Sequence, residues 1–430
     1  MKILVTGLCL SQNLGGPAMA LTLVDQLTLR MPGAEFLFAV DAISYPLERK
    51  WATHYGLEIV EGDNVVSFLL NTHPILKWSR KVYRRMRKPS VPKALLDYEG
   101  IHERFMQAYR ESDVIVSMRG VSYVGDGMKG FFEGPLSYSD LHYAKKHNKP
   151  FAHFVQSFGP FDDWKVRYFA RRDFEYVDFI PARGRESAQH CRKIVADPQK
   201  VYDFPDIAIL LPAADEKWTS AYLQRLGLLE RGYLVLSPSS VIHQLPSCPH
   251  GGTGEDHVRS FYLIARKQLT RGETLLFLPH MYSDDKRQCD REVCRKVIRL
   301  LDEGGTDCSR CRIVEDDLDV WQAKGLISKS KGGVFSRYHA IVAAVSTATP
   351  VVAIGWNIKY QDIMDYYGIS SMAIDSRDRS PEEIAAFGVE KIEAYRHQDF
   401  TPLLREKQKE NVERVELAFN LLADWIRRHT

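Results

Sequence analysis

Short apolar runs typical of buried β-strands alternate with helical patterns along the chain, and this alternation starts again after about residue 218. The first series of strand-like runs covers residues 2–5, 35–40, 114–117, 151–156, 179–182 and 201–204, separated by helical patterns at 18–30, 100–110, 138–147, 164–174 and 186–196. The second series covers 233–237, 274–279, 312–314, 333–335 and 350–354, with helical patterns at 256–271, 286–302, 319–328, 339–347 and 360–367. Such alternation builds parallel sheets covered by helices on both faces.

The two series predict an α/β protein of two doubly wound, Rossmann-like domains that face a cleft. We expect an N-terminal domain at 1–212, a C-terminal domain at 213–395 and an amphipathic helix within 396–430 that packs back on the N-terminal domain. In doubly wound sheets, ligands bind at the carboxyl ends of the strands. Residues that follow those strands are therefore the first candidates for a site.

Net charge and apolar runs indicate which kinds of partner and which cellular location to expect. The 430 residues carry a net charge of +3, which is too mild to predict nucleic-acid binding. The first residues resemble a buried strand and a glycine turn instead of a signal peptide, and no apolar run reaches the roughly 18 residues of a membrane span. We expect a cytoplasmic protein.

One segment departs from this balance. Residues 77–88, inside a predicted insertion at 71–95, hold seven basic side chains and no acidic one, interleaved with aromatic and apolar residues. This pattern is equally typical of a solvated surface insertion and of a basic helix on an anionic membrane face. The second interpretation predicts peripheral contact with the inner membrane face.

Four of the seven cysteines, Cys289, Cys294, Cys308 and Cys311, lie close together in the sequence, and the last two form a Cys-x-x-Cys pair. A zinc site would need these side chains to converge. Cys289 and Cys294 are five residues apart on a predicted helix and do not share one face. The spacing favours ordinary thiols, and we predict no metal.

Three loops after predicted strands carry candidate binding groups. The glycine turn at 7–17 offers Asn13 and a helix N-terminus to an anion, although a plain turn explains it equally well. Gln156 and Ser157 follow another strand and can bind sugar hydroxyls. Asp206 follows a third strand, either as a cleft carboxylate or, slightly favoured, as a helix cap. Turn chemistry at Gly159 is the plain explanation for the second loop.

The strongest candidate is the segment from 333 to 344. An apolar strand ends at residue 335, and Ser336, Arg337 and His339 then open a helix that is apolar nearly all round. A charged Arg and a His at the start of a buried helix need a reason, which favours binding or reaction. The plain alternative is that Arg337 bridges the domains and His339 is a satisfied core group. Arg337 suits a phosphate or carboxylate, and His339 can move a proton near neutral pH. Lys359, after the next strand, supplies a second cation.

In these segments the chain resembles the polysaccharide pyruvyl transferase family. The resemblance runs from residue 1 to about 370 and rests on an ordered set of short motifs: Gln156-Ser-Phe-Gly-Pro160, Arg185-Glu-Ser187, Pro205-Asp-Ile-Ala208, Arg337-Tyr-His-Ala340, Pro350-Val-Val-Ala353 and Lys359. It implies a glycosyltransferase-B-like fold, phosphoenolpyruvate as the donor substrate without a further cofactor, and a glycan or lipid-linked sugar as the acceptor. The product implied is a pyruvate ketal.

The resemblance places donor binding and proton transfer on Arg337 and His339. From the residues themselves we add Lys359, Ser336 and Arg119 as candidates for the donor side. Asn13, Gln156, Ser157 and Asp206 are the candidates for the acceptor side. Two loops depart from the family pattern: Asn13-Leu-Gly-Gly-Pro17 lacks the usual acidic residue, and Arg119 interrupts a glycine-rich turn. Two alternatives stay open, a nucleotide-sugar glycosyltransferase of the same architecture and a non-catalytic protein that binds sugars or nucleotides.

Overall fold

The structure is a computed structural model that describes residues 1–11, 13–42, 44–62, 98–125, 127–230, 232–244, 254–377 and 379–430. The predicted insertion at 71–95, with its basic segment 77–88, lies outside these residues. No helix in the described ranges combines the length and the apolar character that a membrane span needs.

The chain forms two compact units. The first contains Met1–Ser11, Ala20–Phe204 and Glu416–Thr430, and the second contains Gln12–Met19 and Pro205–Val415. The domain limits expected from the sequence stay a prediction. The units differ from those limits at the loop after the first strand, which groups with the second unit, and at the C-terminal residues, which group with the first.

The first unit is built on a parallel five-stranded sheet. The strands of this unit are β1 Lys2–Thr6, β2 Glu35–Asp41, β3 Glu58–Gly62, β4 Val114–Ser117, β5 Val121–Ser122, β6 Phe151–His153, β7 Ser157–Phe158, β8 Ile180–Arg183 and β9 Val201–Phe204. Outside the main sheet, β5 pairs with β7 and β8 pairs with β9. Its helices are α1 Gly15–Arg30, which begins in the second unit, α2 Tyr45–Tyr55, α3 Tyr98–Glu111, α4 Gly127–Lys146, α5 Trp164–Tyr176 and α6 Arg185–Arg192. The order in the main sheet is β3-β2-β1-β4-β6, so the order reverses between β1 and β4.

The second unit repeats this plan with a six-stranded sheet. Its strands are β10 Leu234–Ser237, β11 Leu275–Phe277, β12 Cys311–Ile313, β13 Gly333–Phe335, β14 Val351–Gly355 and β15 Ala373–Asp375. Its helices are α7 Glu216–Arg225, α8 Ser240–Gln244, α9 Gly254–Thr270, α10 Asp290–Glu303, α11 Val320–Ser328, α12 Tyr338–Ser346, α13 Lys359–Tyr366, α14 Pro381–His397 and α15 Thr401–His429, whose last residues belong to the first unit. The order β12-β11-β10-β13-β14-β15 reverses between β10 and β13.

Both sheets are parallel throughout, and the central strands β4, β10, β13 and β14 are buried along their whole length. Burial on both faces explains why these segments are continuous apolar runs and not alternating patterns. The predicted α/β class and the two Rossmann-like domains are confirmed.

The start of α4 departs from the prediction. The sequence predicts a helix from residue 138, whereas α4 begins at Gly127 and contains Pro135. Glycine and proline disfavour helices, so local propensity argues against this first part of the helix. Packing of α4 against α5 stabilises it instead.

Candidate active site

The polar centre of the second unit lies where its strand order reverses. β10 and β13 are neighbours, with Ser237 opposite Phe335, and the chain leaves both strands at the same edge. Ser336 and Arg337 follow β13 directly, and Arg337 immediately precedes α12. Ligands of doubly wound sheets bind at this kind of switch point.

Arg337 is buried and held by a carboxylate. Its Nε and Nη2 atoms donate to the two oxygens of Asp290, at 2.8 and 2.6 Å, and Nη2 also donates to Ser240 Oγ at 2.9 Å. Asp290 is fully buried and also accepts the backbone N–H groups of Ser240 and His280. The bidentate pair compensates the buried charge and fixes the guanidinium plane.

His339 is the second residue of α12 and packs against Gly15. A Cβ atom on Gly15 would come within 2.0 Å of His339 Nδ1, so only glycine allows this approach. On the other side, His339 Nε2 lies 3.4 Å from Asp206 Oδ2. A carboxylate at this distance orients the ring and compensates the charge of an imidazolium.

Two of the predicted acceptor residues support this arrangement. The second oxygen of Asp206, Oδ1, accepts the N–H of Ala208 at 2.9 Å and so caps a short 3-10 helix at Ile207–Leu210. Asn13 Oδ1 accepts the N–H of Gly15 at 3.1 Å, at the start of α1. The carboxylate of Asp206 therefore has two roles: one oxygen caps the short helix and the other lies beside His339.

A pocket with about 290 Å³ of atom-free space opens beside His339. Its wall is mainly apolar, with three ionisable side chains, and all of its residues belong to the second unit. The lining residues are Leu14, Ala18, Ala208, Leu211, His280, Val320, Lys324, His339, Val342 and Ala343. An apolar wall with a few placed polar groups is the usual form of a small-ligand site.

Lys324 is the unexpected member of this wall. It is 4% exposed and donates a hydrogen bond to the carbonyl oxygen of Leu211. Burial lowers the pKa of its ammonium from the ordinary 10.5 to about 7, although the Asp206 carboxylate acts in the opposite direction. The pocket therefore contains an amine that gains and loses its proton near neutral pH.

His280, after β11, is the second ionisable group that sequence reasoning did not single out. Burial, reinforced by the nearby His339 and Arg337, lowers the pKa of its imidazole to about 3. Within the described part of the chain its Nδ1 atom has no hydrogen-bond partner. His280 is thus a neutral ring at physiological pH with one unsatisfied nitrogen.

Lys359 and Ser336 lie near the start of α12 but do not line the pocket. The Lys359 ammonium stands 5.2 Å from the centre of the Tyr338 ring and 5.7 Å from that of Trp356, which are cation–π distances. Ser336 is fully buried, and its hydroxyl has no partner among the described residues. Their assignment to the donor stays a prediction.

Arg119 belongs to the first unit, at the switch point between β1 and β4. Its Nε and Nη2 atoms donate to Asp140 Oδ2, which also accepts from Ser117 Oγ. Its side chain covers Gly7, where a Cβ atom would come within 2.4 Å of Arg119 Cγ. The predicted donor role of Arg119 stays a prediction.

Both the oxygen and the nitrogen of the Gln156 amide have partners within the first unit. Its oxygen accepts from the N–H of Arg119 and from Ser122 Oγ, and its nitrogen lies 2.5 Å from His153 Nδ1. His153 Nε2 in turn lies 2.9 Å from Asp173. This buried network fixes the loop after β4, and the predicted contact of Gln156 with an acceptor stays untested.

Ser157 is buried beside Arg183. Its hydroxyl donates to the Arg183 carbonyl oxygen and accepts from Arg183 Nε, both at 3.2 Å. The guanidinium of Arg183 also donates to the carbonyl oxygen of Gly120. These contacts tie the motif at 156–160 to the glycine-containing turn after β4.

A sequence signal for Lys324 does exist. Val320, Ala323, Lys324 and Ile327 occupy positions i, i+3, i+4 and i+7 of α11, so Lys324 interrupts a buried apolar stripe. Asp290 gives a weaker signal, because it opens α10 as an ordinary acidic first-turn residue does. Asp290 and Arg337 are 47 residues apart in the sequence, so the local pattern does not indicate their pairing.

No group of three or more His, Cys, Asp or Glu side chains that could hold a metal ion occurs in the described ranges. Cys289 and Cys294 are buried, and Cys308 and Cys311 are partly exposed. Burial raises the pKa of the Cys311 thiol to about 12. This thiol stays protonated at neutral pH.

Comparison of the fold with solved structures shows the class. The whole chain matches a glycosyltransferase from Rickettsia africae over 98% of that chain, with a TM-score of 0.55 and 10% identity. It also matches a UDP-GlcNAc 2-epimerase from Neisseria meningitidis bound to UDP-GlcNAc, over 100% of both chains, with a TM-score of 0.54 and 10% identity. The fold is therefore glycosyltransferase-B-like.

Sequence comparison shows the family. The model of the polysaccharide pyruvyl transferase family matches residues 122–358, more than half of the chain, and the protein belongs to this family. A curated relative, the amylovoran biosynthesis protein AmsJ of Erwinia amylovora, is 22% identical over 87% of this chain and 88% of its own length. The matched region contains Arg337, His339, Lys324 and Asp206.

Proposed function

We propose that the protein transfers the pyruvyl group of phosphoenolpyruvate to two hydroxyls of a sugar in a glycan, and that His339 moves the proton that starts the reaction. Membership of the pyruvyl transferase family supports the reaction class. The observation that carries the proposal for the site is the placement of His339 in a pocket at the switch point, beside the Asp206 carboxylate.

The reaction sets clear demands on the site. The methylene carbon of phosphoenolpyruvate gains a proton and becomes a methyl group, while a sugar hydroxyl adds to the neighbouring carbon and loses its proton. A second hydroxyl of the sugar then attacks the same carbon and loses its proton. The bond between that carbon and the phosphate oxygen breaks, and the phosphate takes up a proton and leaves as hydrogen phosphate. A proton donor, cationic partners for phosphate and carboxylate, and an apolar surface for the methylene group are needed.

The pocket supplies these groups. His339 acts as the acid, and Asp206 compensates its positive charge. Apolar residues such as Leu14, Val320 and Val342 form the surface for the methylene group. Arg337, fixed by Asp290, provides a preorganised guanidinium next to the pocket, and Lys359 is a further proposed donor cation.

The test compares donors directly. The protein is incubated with a panel of p-nitrophenyl glycosides and either phosphoenolpyruvate or nucleotide sugars, and released phosphate and nucleotide are measured together with the product mass. We expect phosphate release and a ketal product with phosphoenolpyruvate. Nucleotide release would instead assign a glycosyltransferase activity, and binding without turnover of either donor would assign a non-catalytic role.

Replacement of His339 tests its role within that reaction. His339→Gln should lower turnover by roughly 10²- to 10⁴-fold, the usual contribution of a positioned general acid, and leave donor affinity largely intact. His397, which is 77% exposed on α14, provides the control variant His397→Gln, which should keep full turnover. Wild-type turnover in His339→Gln would remove His339 from the mechanism.

A further inference from the structure

Lys324 occupies a position that an amine rarely takes. It lies on the buried face of α11, between Val320 and Ile327, and forms part of the pocket wall together with His339. Only 4% of its surface is exposed. Burial of an ammonium group is unfavourable unless a partner compensates the charge.

The protein itself compensates this charge only in part. An ammonium group has three N–H donors, and among the described residues the one recorded acceptor for Lys324 is the carbonyl oxygen of Leu211. No carboxylate of the described residues lies within ion-pair distance of Lys324, although Asp206 acts on it through its field. The other two N–H groups of the Lys324 ammonium have no acceptor in the described part of the chain.

The other charged and titratable groups near the pocket are differently placed. Arg337 is paired with Asp290, and His339 lies 3.4 Å from Asp206. His280 is neutral, since its pKa is lowered to about 3. Among the described residues of the pocket wall, Lys324 is therefore the cation that an entering anion can approach without displacing a carboxylate.

We propose that Lys324 is a donor-binding residue, and that its ammonium group binds the phosphate or carboxylate of phosphoenolpyruvate inside the pocket. This inference rests on the proposed function for the identity of the donor, but the anion site itself can be tested with inorganic phosphate. Lys324 is thereby the contact for the donor inside the pocket, while Asp290 holds Arg337 beside it.

The proposal predicts a coupling between donor binding and pH. The bound anion favours the ammonium form, so affinity should fall as the pH rises above about 7 and the free amine loses its proton. The titratable and charged groups His339, Asp206, His280 and Arg337 lie around Lys324 at the same pocket. The variants of Lys324 separate its share of the pH dependence from theirs.

The experiment is isothermal titration calorimetry with phosphoenolpyruvate and, separately, inorganic phosphate, from pH 6.5 to 9. Lys324→Met removes the charge and keeps the aliphatic volume, while Lys324→Gln keeps a hydrogen-bond donor for Leu211. Lys329→Met is the matched control, because Lys329 is exposed near the end of the same helix and pairs with Glu216. Circular dichroism confirms that each variant is folded.

Both Lys324 variants should raise the dissociation constant roughly 10- to 100-fold at pH 6.5, as expected for a lost charge-assisted hydrogen bond. They should also flatten the pH dependence, and Lys329→Met should behave as wild type. Wild-type affinity in both Lys324 variants would overturn the proposal while leaving the proposed function intact.

The two proposals fail in different ways. If the protein binds phosphate through Lys324 but not phosphoenolpyruvate, the anion site stands and the proposed donor is wrong. If the wild type binds neither ligand, both proposals fall.

Discussion

The two switch points of this protein share a plan and differ in how their polar groups are used. In the first unit Arg119 covers Gly7 and pairs with Asp140, and in the second His339 covers Gly15 and faces Asp206. At the first edge Arg119 and Gln156 are engaged in hydrogen bonds within the protein. The second edge opens into a pocket.

Two buried histidines show the same contrast. His153, at the end of β6, contacts Asp173 through one ring nitrogen and Gln156 through the other. His280, after β11, has an Nδ1 atom with no partner among the described residues and a lowered pKa. A histidine with both ring nitrogens engaged stabilises a loop, whereas a histidine with an unsatisfied nitrogen in a pocket can bond to a ligand.

The largest expected effect concerns the buried ion pair of the second edge. Asp290→Asn leaves the Arg337 charge buried without a counter-ion, and should lower the free energy of unfolding by about 3–5 kcal/mol. Urea denaturation measures the loss, and hydrogen exchange assigns it to the region around α10.

The corresponding change in the first unit, Asp140→Asn, is the control for this comparison. The Arg119 side chain is 18% exposed and can recover some hydration, so the loss should be smaller. Equal losses in the two variants would show that the two pairs do not differ in the way proposed.

A smaller effect is expected for the network of the first edge. Gln156→Ala leaves the N–H of Arg119, the hydroxyl of Ser122 and the ring of His153 without this partner, and should lower stability by about 1–3 kcal/mol. Affinity for phosphoenolpyruvate should not change. Gln199→Ala, at an exposed position, is the matched control.

An acceptor role of Gln156 would give another result. The Michaelis constant for the sugar would then rise in Gln156→Ala while stability stayed near that of the wild type. This outcome would move part of the substrate site to the first unit.

The smallest effect near neutral pH is a pH dependence from His280. Its pKa of about 3 lies below the ordinary 6.5, so the unfolded chain binds more protons than the folded one between these values. The stability that the neutral ring contributes is present above pH 6.5 and is lost as the pH falls. The stability difference between wild type and His280→Asn should therefore shrink as the pH falls from 6.5 towards 3, with a slope that approaches about 1.4 kcal/mol for each pH unit. A pH-independent difference would mean that His280 titrates normally.

The sequence predicts the architecture well because long apolar strands and amphipathic helices carry their own periodicity. The segment from β13 to α12 is an example: the strand prediction at 333–335 is confirmed, and Arg337 and His339 lie at the start of a buried helix as expected. The first part of α4 was missed because its glycines and Pro135 argue against a helix that tertiary packing nevertheless stabilises.

The site is predictable only in part, because motifs identify residues but not their partners. The sequence singles out His339 and Asp206 separately, and the structure shows that they face each other. Lys324 was missed although it interrupts the apolar stripe of α11, and Asp290 offers almost no local signal. Contacts between distant segments decide which charges are compensated and which remain available.

The central claim is that the second switch point, and not the first, binds the donor. The direct measurement is NMR of protein labelled with ¹³C at histidine Cε1, titrated with phosphoenolpyruvate, with signals assigned by single His→Gln variants. The signals of His339 and His280 should shift with saturable dependence on the donor, and the signal of His153 should stay in place. A saturable shift of His153 with unchanged signals from His339 and His280 would contradict the account.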